Sequence, residues 1–289
     1  SIKDKIIEVA NAKSKTLAKV GAGVKDVTFR AIDTLQGKML VVELIIDVRD
    51  AMGANIVNTM CEATAPLVEE TSGGRVLLRI LSNHATKRLA RASVVFSKEE
   101  IGSEVVDDII LAYAFAEADQ YRCTTHNKGV MNGIIAVANA TGQDNRAIEA
   151  GAHSYALRNG RYSSLTRWSK NNDGDLVGNI ELPLAIGTVG GVASVHPLAK
   201  VCLKILRIKS VQELACVMAS AGLAQNFAAL KALVSEGIQK GHMGLHARNI
   251  AMMAGVEGKL VDAVAKRMAE EGNVTTQRAR EILKELKRK

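Results

Sequence analysis

Aromatic residues are scarce in this chain: one Trp, four Tyr and four Phe make up 3% of 289 residues. So few rings argue against recognition of single-stranded nucleic acid by base stacking. The four cysteines (Cys61, Cys123, Cys202 and Cys216) stand alone, with no Cys-x-x-Cys spacing, a pattern of reduced thiols in a cytosol. No apolar run reaches the length of a membrane span, and the opening Ser1-Ile2-Lys3-Asp4-Lys5 lacks a signal-peptide core. A soluble, cytoplasmic protein that engages no membrane is therefore expected.

What is present is ordinary globular material, 47% hydrophobic and 24% charged, long enough for two domains. The formal charge of +8 suits an anionic ligand of the nucleotide kind. Nucleic acid is a weaker reading, because the charge is scattered and such binding would fall steeply with salt.

Residues 2–12 have helical spacing, and Gly21-Ala22-Gly23 follows at a turn. That Gly-x-Gly follows a helix, not a strand, and lacks a third glycine, so it is a poor Rossmann fingerprint. Residues 26–32 and 39–47 alternate as a hairpin around Gln36-Gly37-Lys38. A helix is expected over 53–70, stopped at Ser72-Gly73-Gly74, and then two strands over 76–81 and 89–96. Together these make a small α+β unit.

A helix over 103–118 leads into a part richer in Ala, Gly and Leu, expected to be mostly helical. Its exception is a hairpin over 165–182 with Asn171-Asn172-Asp173-Gly174 at the tip. Gly187-Thr188-Val189-Gly190-Gly191 suits either an anion-binding loop or a tight packing turn. Residues 198–208, 211–223 and 225–235 read as three packed helices whose Met and Leu stripes suit a core. His242 and His246 stand at i, i+4 spacing, but zinc needs three or four ligands and no His-Glu-x-x-His or cysteine pair accompanies them. No metal is expected, and a proton-donating histidine fits better. The charged tail from Gly255 onward reads as an amphipathic, solvated helical face.

The chemistry concentrates between Tyr121 and Asp144. Lys128 stands among His126, Asn127, Gly129, Asn132 and Gly133, with Arg122 before it and Asp144 after an apolar run. Arg122 can fork onto a carboxylate, and a lysine beside an acid can stay charged in a pocket and stabilise an oxyanion. A solvated lysine in a polar loop is the alternative.

Four motifs in order, Asp50-Ala51-Met52-Gly53-Ala54-Asn55, His126-Asn127-Lys128-Gly129, Gly187-Thr188-Val189-Gly190-Gly191 and Gly241-His242-Met243-Gly244-Leu245-His246, resemble class II 3-hydroxy-3-methylglutaryl-coenzyme A (HMG-CoA) reductases. The resemblance implies an α+β fold. A small ferredoxin-like, non-Rossmann domain (1–100) would carry NADPH or NADH. A larger helical domain (101–236) would hold the coenzyme A thioester, and a C-terminal helical flap (237–289) would follow.

It further implies two hydride transfers that convert HMG-CoA to mevalonate and coenzyme A. Lys128 would be the catalytic lysine, Asp144 the aspartate supporting it, and His242 the donor to the coenzyme A thiolate. Arg122, Asn132, Gln225 and His246 fall at positions near the substrate. Asp50, Met52, Gly53, Asn55 and Asn83 fall where the cofactor is held, and Ser14 falls where an acidic residue marks NADH preference. A homodimer with the site at its interface is implied, as is a mobile tail hinged at Gly237, Gly241 and Gly244. The family's catalytic glutamate sits in an N-terminal Glu-Asn-x-x-Gly segment that these residues do not contain. That segment is expected in a parent chain or a separate polypeptide, and these residues alone are expected to turn over poorly and to aggregate. A catalytically silent binding or assembly homologue is the alternative.

Overall fold

The computed structural model describes residues 1–235, 237–258 and 260–287, and of 238–245 the backbone alone. Helix and strand are mixed, and three apolar clusters hold them together.

The first cluster gathers Ile6, Ala10, Val24, Val27 and Met60. Helix α1 (Ile2–Asn11) packs on the long antiparallel hairpin of β1 (Gly23–Thr34) and β2 (Gly37–Asp47), and against α3 (Ala54–Ser72). Between α1 and β1 lies the short α2 (Lys15–Lys19), capped by Ser14, whose Oγ accepts from Leu17 N at 3.2 Å. Gly53, at φ 91°, starts α3, a conformation a side chain resists.

Two expectations fail here. Residues 76–81 form no strand: Val76 N donates to Glu69 Oε1 at 2.7 Å and Leu81 N to Asn58 Oδ1 at 2.8 Å, so side chains of α3 take up the donors at both ends of the run. Its Leu77, Leu78 and Ile80 stay exposed. Strand β3 (Leu89–Phe96) does not join β1 and β2 but pairs along its whole length with β5 (Leu176–Pro183). Among the described residues β1 and β2 therefore form a two-stranded sheet, not a four-stranded ferredoxin-like one.

The second cluster is the largest. A sheet ordered β3-β5-β4, with β4 at Thr166–Lys170, is covered by α5 (Ser103–Ala118), α6 (Gln120–Thr141), α7 (Asn145–Tyr155) and α10 (Val211–Val234). The short α4 (Lys98–Ile101) precedes α5, and α8 (Gly191–Val195) and α9 (Pro197–Leu206) precede α10. Residues 211–235, expected as two helices, make a single one. Ala224 offers no break, and the side chain of Asn226 is engaged elsewhere than on its own backbone. By length and a mean hydropathy of 1.3, α10 matches a membrane span, contrary to the sequence reading; one face of it, with Leu214, Met218, Leu223 and Leu230, fills the core.

Helices α6 and α10 approach closely because both carry glycine at the crossing. A Cβ on Gly133 would stand 2.4 Å from the Ala221 carbonyl oxygen, and one on Gly222 2.8 Å from Ile134. The third cluster joins α11 (Ile238–Met253), α12 (Leu260–Glu270) and α13 (Thr276–Lys287) through Ala251, Val264, Met268 and Ile282. Arg278 ties this tail together, bonding Glu271, Glu281 and Glu285.

Candidate active site

The stretch around Lys128 is helix, not loop. Asp119 caps α6 by accepting from Arg122 N at 2.7 Å, and Gly142 ends it in the left-handed region at φ 69°. At 100° per residue, His126 and Lys128 lie on opposite faces. His126 and Asn127 turn inward and are 2% and 0% exposed, so the polar character of the motif is partly core.

A buried hydrogen-bond network holds them. His126 Nε2 lies 2.8 Å from Thr166 Oγ1, which donates to Asn226 Oδ1 at 2.9 Å. The same oxygen accepts from Trp168 Nε1 at 2.8 Å. Asn127 donates to the Ser163 carbonyl at 3.0 Å and accepts from Leu165 N at 2.9 Å. Burial, aided by the positive charge of Arg122, pushes the His126 imidazole down to about 4. Burial likewise pushes the Cys123 thiol up to about 11, away from reactivity near neutrality. This network pins α6 to β4 and α10 and so fixes which way Lys128 faces.

Lys128 faces a cleft of about 400 Å³. One wall is the stripe Lys128, Met131, Asn132, Ile135, Ala136 and Asn139, the i, i+3, i+4 face of α6, and the other is Glu149 and His153 of α7. Lys128 is exposed there and, among the described residues, forms no ion pair. Asn132, one turn further along, lines the same wall. Gln225 of α10 lies beside Gly133, its Cβ 3.0 Å from where a Gly133 Cβ would be. Arg122, half-buried, shares the α10 side of α6 with Gly133 by helical spacing.

Asp144 does not meet Lys128 within one chain. It caps α7, its Oδ1 accepting from Ala147 N at 3.1 Å. From Lys128 to the end of α6 the helix rises about 20 Å at 1.5 Å per residue. The side chain of His242 lies outside the described residues, and of Gly241 and Gly244 only the backbone on α11 is described; His246 is exposed on α11.

The two glycine-bearing loops come together. Gly187 approaches so closely that a Cβ would stand 2.4 Å from Met52 N, and Ala51 bridges to Val189. Asp50 is the knot: its carbonyl accepts from Thr188 N at 2.8 Å, and its carboxylate accepts from Val211 N at 2.8 Å at the start of α10. A structural bond thus engages one oxygen of the carboxylate expected at the cofactor. Asn55, on the first turn of α3, is exposed beside this junction, and Asn83 is exposed on the segment before β3. Ser14 spends its hydroxyl on the α2 cap between exposed Lys13 and Lys15.

Sequence reasoning missed two residues that build the junction. Arg88 donates to the carbonyls of Met52 (2.7 Å), Ala51 (3.2 Å) and Ile186 (2.7 Å), clamping both loops. Gln143 exchanges two bonds with Gly187, each 2.9 Å. Neither belongs to a glycine motif; an arginine just before a strand and a glutamine after a helix-ending glycine carry no signal by themselves. Among the described residues no three His, Cys, Asp or Glu side chains converge as a metal site.

A family model described as hydroxymethylglutaryl-coenzyme A reductase matches residues 1–247. The 3-hydroxy-3-methylglutaryl-coenzyme A reductase of Archaeoglobus fulgidus is 57% identical over 286 residues, which is 99% of this chain and 65% of that protein. The probable 3-hydroxy-3-methylglutaryl-coenzyme A reductase of Borreliella burgdorferi is 38% identical over 77% of this chain and 53% of its own. The chain thus spans less than two thirds of the length of these two relatives. The class II reductase of Streptococcus pneumoniae, solved bound to NADPH in open conformations, superposes with a TM-score of 0.78 at 42% identity, covering 99% of this chain and 70% of that one. Motifs, fold and matches along nearly the whole sequence agree: the chain belongs to the hydroxymethylglutaryl-coenzyme A reductase family.

Proposed function

We propose that the protein containing this chain reduces HMG-CoA to mevalonate and coenzyme A by two hydride transfers from NADPH or NADH. The observation that carries this is the cleft in which Lys128 stands unpaired beside Asn132, on a chain of this family. Hydride delivery to the thioester carbonyl develops an oxyanion, and an ammonium at hydrogen-bond distance stabilises it. Arg122, Asn132, Gln225 and His246 are assigned to the substrate. Collapse of the hemithioacetal expels a thiolate, for which His242 is the proton donor.

The nicotinamide cofactor is assigned to the junction of the Asp50–Asn55 and Gly187–Gly191 loops with the start of α3, near Asn83. Backbone N–H groups at a helix N-terminus and in glycine loops favour its phosphates. Met52 and Gly53 line that approach, and Asp50 keeps the two loops in register.

The tail from Gly237 onward is assigned as a helical flap that brings His242 to the thioester. Lys128 and Asp144 cooperate only if a second subunit supplies one of them, so the working protein is a homodimer or a larger assembly.

The test is oxidation of NADPH by the full-length protein with HMG-CoA as substrate. Lys128→Ala should lower kcat by about 10²- to 10³-fold, the usual weight of one oxyanion-stabilising group. Turnover that survives this substitution overturns the assignment.

A further inference from the structure

The buried polar groups around His126 fix where its proton sits. Asn226 Oδ1 accepts from Trp168 Nε1 at 2.8 Å, and an indole nitrogen can only donate, so this end of the amide is oxygen and the other is the NH2 group. Thr166 Oγ1 lies 2.9 Å from that same oxygen. Two oxygens so close need a proton between them, the amide oxygen has none to give, and Thr166 therefore spends its only proton there. The contact of Thr166 with His126 Nε2, at 2.8 Å, must then be donated by the ring. The imidazole carries its proton on Nε2, and bare Nδ1 faces the NH2 group of Asn226 at 3.5 Å, the longest link of a closed circuit. Burial holds the ring neutral, as the circuit requires. Arg122 on the same helix and Tyr113 of α5, 6.5 Å away between ring centroids, are the titratable groups nearby, and neither supplies a negative charge near neutrality.

This circuit sits on the crossing of α6 and α10. His126, Val130 and Ile134 form one stripe of α6 at i, i+4, i+8 spacing, and they meet Asn226 and Gly222, one turn apart on α10. A Cβ on Gly222 would stand 2.8 Å from Ile134 and 3.2 Å from Val130. Apolar contact has no direction, so it leaves the rotation of one helix on another less determined than a set of buried hydrogen bonds does. His126, Thr166 and Asn226 are at most 2% exposed, so water does not replace a lost link. Both helix members of the circuit adjoin residues assigned to the reaction, His126 two places before Lys128 and Asn226 next to Gln225.

We propose that Thr166 and Asn226 are positioning residues for Lys128: acting through His126, which they lock as the Nε2–H tautomer, they fix the rotation of α6 on α10 and so the distance from the Lys128 ammonium to a substrate held beside Gln225. The role in turnover rests on the reductase reading. The place of the proton does not.

The experiment has two arms on the full-length protein. NMR of the labelled histidine ring nitrogens, with His126 identified by the signal lost in His126→Gln, should show one N–H nitrogen at Nε2 and a bare Nδ1 near neutrality. Asn226→Asp keeps the oxygen that Trp168 and Thr166 use but replaces the NH2 group by an acceptor, so Nδ1 should become a second N–H nitrogen. In the second arm, NADPH oxidation with HMG-CoA is followed in Thr166→Val, which keeps the shape and loses the hydroxyl. Its kcat should fall about 10- to 10²-fold, as displacement of a reacting group by up to about 1 Å does, with KM for NADPH unchanged. Thr166→Ser should restore it. In N226D kcat should fall as well, because an imidazolium–carboxylate link closes to about 2.8 Å and draws the two helices together. A wild-type ring with its proton on Nδ1 overturns the circuit. Wild-type kcat in folded T166V and N226D, or a loss in T166V that T166S does not repair, overturns the positioning role, since a merely structural role would show in the urea midpoint alone. A wild type that leaves NADPH unoxidised overturns the reductase reading and the positioning role with it, while the ring-nitrogen spectrum still decides the tautomer.

Discussion

Gly133 shows how one missing side chain organises the site. Ala there would gain up to about 1 kcal/mol of helix propensity. Its Cβ would nevertheless meet the Ala221 carbonyl at 2.4 Å, and backbone of α10 cannot rotate aside as a side chain can. Overpacking of this kind costs about 1–3 kcal/mol, so the clash wins. Gly133→Ala should lower the urea midpoint and loosen the placement of Gln225. His126 sets a pH dependence. Its folded-state value is depressed to about 4 by burial, so the unfolded chain takes the proton first and stability falls as pH drops below the ordinary histidine value. Between pH 6.5 and pH 5 the loss is about 2 kcal/mol at 1.36 kcal/mol per unit. Urea denaturation at pH 7 and pH 5 should show this drop in the wild type and a smaller one in His126→Gln. The sequence made Lys128 legible through its small and polar neighbours. It hid that His126 and Asn127 are core, because adjacency along a chain says nothing about opposite faces of a helix.

At the scale of elements, turn chemistry was the dependable signal. Gln36-Gly37 and Asn171 to Gly174 placed both hairpins, and Gly73, at φ 67°, marked the end of α3. Apolar alternation alone was not dependable. Residues 76–81 carry a strand-like pattern but find no partner strand, and β3 chose its partner by the core it could enter rather than by its neighbours in sequence. The sequence reading divided α10 at Ala224, a residue that favours helix, and the helix runs on through Asn226, whose amide oxygen accepts from Thr166 and Trp168. Helix α2 carries a prediction about the cofactor. Ser14 cannot repel a ribose 2′-phosphate, and Lys13 and Lys15 flank it with positive charge. NADPH should be used at least as readily as NADH, and Ser14→Asp should move the ratio of kcat/KM values toward NADH. A large wild-type preference for NADH would refute this.

On the scale of the whole molecule, three apolar clusters divide the chain, while the functional residues divide along other lines. Asp50 ties the loop after β2 to the first turn of α10, so the first and second clusters meet at the junction assigned to the cofactor. Lys128 sits in the first half of α6 and Asp144 beyond its C-terminal end, and the helix rise of about 20 Å from Lys128 to that end keeps them from direct contact inside one subunit. Sequence spacing suggested this separation, and the unbroken α6 makes it rigid. If the two cooperate, each site takes Lys128 from one subunit and Asp144 from another. Lys128→Ala and Asp144→Asn proteins should then each be nearly inactive, and mixing them under conditions that exchange subunits should restore turnover. In a mixed dimer one site receives both substitutions and the other receives neither, so random exchange should give about a quarter of wild-type activity. Light scattering on the same samples should report a dimer or larger. A monodisperse monomer with full turnover, or exchanged subunits that recover nothing, would show that the two residues do not share a site.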